Sequence, residues 1–485
     1  MMKRDRRTGI VIALVALIAM TPSTGFAVGS GGFENASFSA KQLALGGTGT
    51  ATPDEPAAIS YNPAGIVDLP GIQFQGDANF IGMWTFKNNS ETGSTRSSGT
   101  LSMVPTAYFT VNPGKVFNDR LALGIGTDSP FGLMNKYNSS DPATHYTGWK
   151  NWLKMYTIKP TVAFKVTDKL SVGGGPMWYR IYDFGGIQAY PNNLATLPPF
   201  PFGAGTYTPD GQVRINTSGN HWGWQMGLLF KPTEKHRFGY YFRSPVVVKT
   251  SGQVKVENSD FSAILGQGRH NFETGVHTKV SLPMNMTWAY AYQPTKKTHY
   301  EADFTWSRWS THKRLYFVTD PSGNATDDAI LNNIRAADKD WHDGYGVQLG
   351  ASHQLTDKLT LRGGSWFYFT PVPQKHFTPA VADSNHLAVS IGLGYNLSKY
   401  LTADLAYYNA FYFTRRINND IAESPYLVNS SVDGRYFSYM QSFTISLTLK
   451  WDDIFTRCST KKDTKEEVPA ATFIQAQSGQ QQPAA

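Results

Sequence analysis

The feature that most constrains this chain is a two-sided ribbon near its C-terminal end, FSYMQSFTISLTLKW from Phe437 to Trp451. Odd positions carry Phe437, Tyr439, Gln441, Phe443, Ile445, Leu447, Leu449 and Trp451. Even positions carry Ser438, Met440, Ser442, Thr444, Ser446, Thr448 and Lys450. Side chains on a strand alternate between two faces, so the segment predicts one greasy face and one hydroxyl-rich face. Aromatic rings stand near both ends, and no Gly or Pro interrupts it. About 9–11 residues of tilted strand cross a bilayer, with aromatic girdles at both interfaces. Lipid offers a lone strand's backbone no hydrogen-bond partners, so such a strand belongs in a closed barrel.

The alternation recurs near 72–84, 100–111, 119–127, 151–166, 168–183, 219–231, 235–250, 277–293, 297–309, 342–354, 357–369, 384–397, 399–413 and 435–451, fourteen segments in all. Short polar links such as Lys231-Pro-Thr-Glu-Lys235 and Gln293-Pro-Thr-Lys-Lys297 follow the even-numbered segments, and long links follow the odd ones. Outer-membrane barrels have even strand counts, short periplasmic turns and long extracellular loops. The pattern therefore predicts an all-β, 14-stranded antiparallel transmembrane β-barrel in a bacterial outer membrane, with both termini periplasmic. A soluble sandwich has no reason to alternate link length in this way.

Composition supports that class. Charged residues make up 16% and aromatics 14%, whereas a soluble domain carries about 25% charge. No stretch reaches the ~18 uninterrupted apolar residues of a membrane-spanning helix. A formal net charge of +8 is modest for 485 residues and makes no case for nucleic acid. The single Cys, Cys458, excludes a disulfide framework. The basic start, the apolar run Ile10–Met20 and the small residues Gly25 and Ala27 predict a signal peptide over 1–27. Residues 28–70 are small-residue-rich without alternation, the barrel is expected over 71–451, and 452–485 reads as a disordered periplasmic tail.

Strand parity directs Asp77, Arg180, Arg243, Glu301, Asp303, Arg362 and Asp404 inward, since Arg on a lipid face costs roughly 2–4 kcal/mol at the midplane. Mutual pairing that stiffens the wall is the expected role of most of them. Ser and His are scattered without a motif such as GxSxG, and no His cluster suggests a metal site. No enzyme activity, cofactor or metal is expected.

Asn62-Pro63-Ala64 before the first segment is one of several ordered signals. Others are Pro130-Phe131-Gly132-Leu133 after the third, Lys159-Pro160 to Phe164 with Leu170 to Gly175, and Leu282-Pro283 opening the eighth. Further on come Ala302-Asp303 with Trp309, Leu361-Arg362-Gly363-Gly364 with Pro371-Val372-Pro373, and Gly392-Leu393-Gly394-Tyr395. In that order they resemble the outer-membrane long-chain fatty-acid transport proteins of the FadL/TodX type. The resemblance implies a barrel stoppered by an N-terminal hatch, here 28–70, with Asn62, Pro63 and Ala64 as its motif. It also implies passive, ATP-independent uptake of hydrophobic small molecules by a monomer surrounded by outer-membrane lipid and lipopolysaccharide.

Gly124, Gly126, Pro130, Phe131 and Gly132 are expected to break the ladder of the third strand and kink the wall. The resemblance makes that kink a lateral exit. The loop 184–218 carries Leu194, Leu197, Phe200 and Phe202, and clustered exposed apolar residues mark binding surfaces. Together with Leu133, Arg362, Tyr368 and Phe369 they form the expected ligand-binding set. Two departures bear on the ligand. Tyr368 and Phe369 stand where acidic residues are frequent, and Asp383-Ser384-Asn385-His386 stands where an Asp-x-Asp-Arg-like run is usual. A neutral aromatic or alkane hydrocarbon is thus the alternative to a fatty acid, with a general porin or an adhesin as competing classes.

Overall fold

The computed structural model describes residues 32–35, 38–89, 93–99, 101–141, 144–190, 210–261, 267–331, 337–419, 421 and 431–451. The expected signal peptide and tail lie outside them. The strands are β1 Ile72–Asn89, β2 Leu101–Val111, β3 Leu121–Asp128 (resuming at Leu133–Lys136), β4 Lys150–Lys165 and β5 Leu170–Tyr190. Next come β6 Gly211–Phe230, β7 His236–Arg243 with Val246–Phe261, β8 Gln267–Leu282 with Asn285–Thr295, and β9 Thr298–Ser307. β10 Gly344–Gln354, β11 Leu359–Phe369, β12 His386–Ser398, β13 Leu401–Ile417 and β14 Gly434–Trp451 complete the wall. Each strand runs antiparallel to the next, and β14 pairs with β1 from Ile72↔Trp451 to Asn88↔Arg435. The sheet has therefore closed, leaving fourteen strands in a barrel.

The two faces of β14 fall as the alternation demands. Phe437 and Phe443 are exposed outward, while Ser438, Ser442, Thr444 and Ser446 are buried inside. Asn79 of β1 accepts from Ser442 and Thr444 across the seam, at 2.5 and 2.8 Å. Outward aromatic rings run around the wall. Trp288 lies 5.8 Å from Tyr240 and 5.9 Å from Phe304, which lies 6.3 Å from Tyr345.

Inside the barrel the hatch takes the place of a hydrophobic core. Helix α1, Ala40–Ala44, is capped by Ser39, whose hydroxyl accepts from Gln42 N–H. Two 3-10 turns follow, Pro56–Ser60 and Pro63–Asp68. Asn62 caps the second by accepting from Ala64 N–H, and Pro63 fits the first turn because its missing N–H would be unpaired there. Hatch and wall meet through polar groups. Asn62 Nδ2 donates to the Leu228 carbonyl at 2.9 Å, and Gln225 Nε2 to the Ile59 carbonyl at 2.8 Å. Glu301 accepts from the N–H groups of Gly49 and Ala51 at 3.1 and 2.6 Å.

Wall glycines let the hatch backbone lie directly on the sheet. At Gly173 a Cβ would stand 2.6 Å from the Pro63 carbonyl carbon and oxygen and 2.7 Å from Ala64 N. Backbone atoms cannot swing aside. Gly173→Val is therefore expected to cost about 1–3 kcal/mol through overpacking and to lift the hatch. Planar-bilayer recordings should show a raised ionic leak; an unchanged leak with unchanged stability would mean the hatch is not seated here.

Asp77, Arg243, Glu301, Asp303, Arg362 and Asp404 do face the lumen. Arg180 does not. Met177, Tyr179 and Ile181 are buried, so Arg180 shares the outer face with Trp178 and Tyr182. Gly173-Gly174-Gly175-Pro176 gives no hydropathic phase from which its parity could be read. The expected loop 184–218 is also shorter than its bounds. Phe184 to Tyr190 pair with Gly211 to Thr217, beyond a register shift after Ile181.

Between β2 and β3 the wall is open over part of its height. β2 pairs with β3 only from Ala107↔Thr127 to Val111↔Leu123. Leu101 to Thr106 have no ladder partner on the β3 side, although Leu101 to Val111 pair continuously with β1.

Candidate functional site

At the long-loop end, connections between strands fold over the lumen and enclose a cavity of about 360 Å³. Its walls come from Phe33 of the hatch, Leu133, Leu153 of β4, Phe184 and Ile187 of β5, Val213 and Ile215 of β6, and Val280 of β8. The β9–β10 connection supplies His312, Leu315, Phe317, Lys339 and Trp341. That connection folds back on itself through Arg314–Leu315 with Ala337–Asp338 and is held to the wall by Phe317–Thr319 pairing with β8. Apolar walls with a few convergent polar groups are the usual form of a small-molecule site, and its volume falls in the usual range of about 300–1,000 Å³.

The floor is aromatic. Phe33 packs edge-on to Trp309 at 4.7 Å, Trp309 to Trp341 at 5.0 Å, and Trp341 to His312 at 4.8 Å. Burial pulls the His312 imidazole down to about 3, so its ring is neutral at physiological pH. Lys339 is the one ordinary cation among the described lining residues. Its stem is half-buried, and burial lowers its ammonium to about 8. The indole nitrogen of Trp341 and the Nδ1 of His312 are buried with no hydrogen-bond partner among the described residues.

The cavity adjoins the gap in the wall. Ser129 to Gly132 leave the barrel ladder and turn toward the hatch, where Gly132 N–H donates to the Phe33 carbonyl at 2.9 Å. Asn35 N–H donates to the Pro130 carbonyl at 3.0 Å, making Glu34 and Phe131 an isolated antiparallel bridge. Glu34 in turn pairs with Arg243, whose guanidinium lies 4.6 Å from the Phe131 ring. On the far side, Leu133, Ala380 and Val381 also line a second, smaller void of about 20 Å³ with Met83 and Thr85 of β1.

The expected site residues scatter around this geometry. Leu133 lines both voids. Pro130, Phe131 and Gly132 form the kink. Gly124 and Gly126 instead stay in the ladder and point at hatch Ile59, whose bulk a side chain there would meet. Arg362 is bound to Asp404 at 2.6 Å, away from the cavity. Tyr368 is buried against His386 and Trp366, and Phe369 lies on the outer face, 45% exposed. Leu194, Leu197, Phe200 and Phe202 fall outside the described residues. Sequence reasoning missed Phe33, His312, Lys339 and Trp341. The only signal was the density of aromatic and basic residues in the long link between the ninth and tenth segments.

Residues 20–449 match the family described as outer membrane protein transport protein (OMPP1/FadL/TodX). A long-chain fatty acid transport protein of Escherichia coli O6:H1 is 25% identical over 81% of this chain and 89% of its own length. Outer membrane protein P1 of Haemophilus influenzae is 24% identical over 79% and 88%. Among solved structures, a Pseudomonas aeruginosa FadL homologue superposes with a TM-score of 0.69 at 19% identity, covering 88% of this chain and 99% of its own. The P. putida toluene transporter TodX gives 0.63 at 16% identity, covering 86% and 99%. The match across almost the whole barrel and hatch places this chain in the OMPP1/FadL/TodX family of outer-membrane transport proteins.

Proposed function

We propose that the protein admits long-chain fatty acids passively across the outer membrane, with the long loops outside the cell and both chain ends in the periplasm. The observation that carries this reading is the cavity of about 360 Å³ with Lys339 as the one ordinary cation among its described, mostly apolar lining residues. An ammonium at the rim of a greasy pocket recognises an amphiphile with a carboxylate at one end and a hydrocarbon at the other. The indole N–H of Trp341, which lines the cavity and has no partner among the described residues, suits the same headgroup. From the cavity the chain of the ligand passes Leu133, displaces the hatch at Phe33–Asn35, and leaves between β2 and β3 into lipid. No energy source is required, because cargo moves from water to bilayer down its own gradient.

The second reading, a neutral hydrocarbon, is favoured by the neutrality of His312 and by the weight of aromatic rings in the floor. Lys339→Met separates the two. A charge-assisted hydrogen bond contributes about 1.5–3 kcal/mol, so binding of the acid should fall roughly ten- to a hundredfold. Binding of the neutral alcohol or alkane of equal length should stay the same. Wild-type affinity for the acid should be full near pH 7 and decline as pH rises through about 8, where the Lys339 ammonium loses its proton. Equal loss for acid and neutral analogue, or a flat pH profile, would favour the hydrocarbon. Tryptophan fluorescence quenching on purified protein reads both.

A further inference from the structure

Three arginines stand on the outer face of the β13–β14–β1 seam at its long-loop end. Arg416 of β13 and Arg435 of β14 are direct cross-strand partners. Arg435 also pairs with Asn88 of β1, and Asn88 with Ser94 of the short strand Gly93–Arg96, which ends on Arg96. All three are exposed, and none of the guanidinium groups is engaged by a carboxylate among the described residues. Like charges directly opposed on one sheet face are destabilising. Arg416 and Arg435 therefore sit in an arrangement that an intervening anion would relieve.

The surface around them is shaped. Arg96, Arg435, Asn88 and Thr95 line an open pocket of about 440 Å³, walled on its lower side by Phe86 and Phe437. Directly below, Trp84 stacks on Tyr439 at 5.0 Å. Such outward aromatic clusters lie at the membrane–water interface, and Arg435 precedes Phe437 by one outward step, roughly 6–7 Å along the strand. The arginines thus stand at headgroup height. They span four adjacent strands, about 14 Å at the usual strand spacing, which is wider than a single phosphate and suits a headgroup carrying two. Arginine's planar fork fits phosphate oxygens in pairs.

We propose that this seam is a binding site for a phosphorylated glycolipid of the outer leaflet. Its phosphates lie on Arg96, Arg416 and Arg435, and its acyl chains cover Phe86, Phe437, Trp84 and Tyr439. The leaflet rests on the orientation given above, whereas the chemistry of the site is independent of what the lumen carries.

The test is a native mass-spectrometry titration of delipidated full-length protein in detergent with bisphosphorylated lipid A. Dephosphorylated lipid A, phosphatidylglycerol and inorganic phosphate serve as separate arms. Bound glycolipid should persist on the wild type and weaken on the order of tenfold or more in Arg416→Gln/Arg435→Gln. Each single substitution, including Arg96→Gln, should give a partial loss. Heat-modifiable gel mobility and fatty-acid binding in the cavity, measured on the same samples, should remain unchanged. Retention by the double variant would overturn the site. So would equal binding of the dephosphorylated lipid or of phosphatidylglycerol, or displacement of the glycolipid by an equal concentration of inorganic phosphate. A wild type that binds the glycolipid but no fatty acid would instead count against the transport reading.

Discussion

In its oxidised form, a Glu34→Cys/Phe131→Cys protein lacking Cys458 should pass no fatty acid into liposomes, while the reduced form of the same protein does. The two hydrogen bonds flanking this bridge leave Glu34 and Phe131 as the narrow, non-bonded pair, with Cα atoms about 4.5 Å apart in such a ladder. That separation lies within the roughly 4.4–6.8 Å reach of a disulfide. The bond would fasten the first hatch segment across the path from the cavity to the β2–β3 gap. Both arms carry the same substitutions, so the lost Glu34–Arg243 pair cancels between them. Capture should survive oxidation, because of the described lining residues only Phe33 belongs to the hatch. Equal uptake in both redox states would mean that cargo does not pass the kink, or that the hatch need not move for it to do so.

The barrel was legible because lipid enforces it. Each strand that faces hydrocarbon on one side and a polar lumen on the other must alternate, and β14 alternates over nearly its whole length. Where consecutive glycines occupy both faces the signal fails, as at Gly173-Gly174-Gly175, and Arg180 was assigned to the wrong side. The hatch was recognisable by its lack of pattern, but that lack says nothing of how firmly it is held. The structure shows a segment held by side-chain bonds to its backbone, such as Ser390 Oγ to the Ala44 carbonyl at 3.0 Å and Ala40 N–H to Ser446 Oγ at 2.8 Å. Contacts made by N–H and C=O groups are the same for every residue type, so they leave no trace in hydropathy. The cavity was least readable. Phe33, Leu133, Phe184 and Lys339 meet only because distant loops fold over one mouth, and nothing in their local spacing announces it.

Lys159→Met should destabilise the protein more than any lipid-facing substitution. The Lys159 and Asp128 side chains are both fully buried and form an ion pair at the end of β3, just before the kink. Lys159 also donates to hatch Ser60 at 3.1 Å and stands 5.1 Å from the Phe38 ring, while Asp128 accepts from Thr157. One ion pair thus joins β3, β4 and two points of the hatch. Removing the cation strands a carboxylate out of water, which costs about 3–5 kcal/mol. Asp128→Asn in the same background removes the stranded charge but keeps an acceptor for Thr157 and Ser60. The double variant should therefore lie within about 1–2 kcal/mol of wild type, a loss of one or two neutral hydrogen bonds. Guanidinium unfolding in detergent, followed by gel mobility, measures both. The single variant should also leak ions more than the double, because its stranded carboxylate, still bonded to hatch Ser60, draws water between hatch and wall. If the single variant is as stable as the double, the pair contributes nothing beyond its neutral contacts.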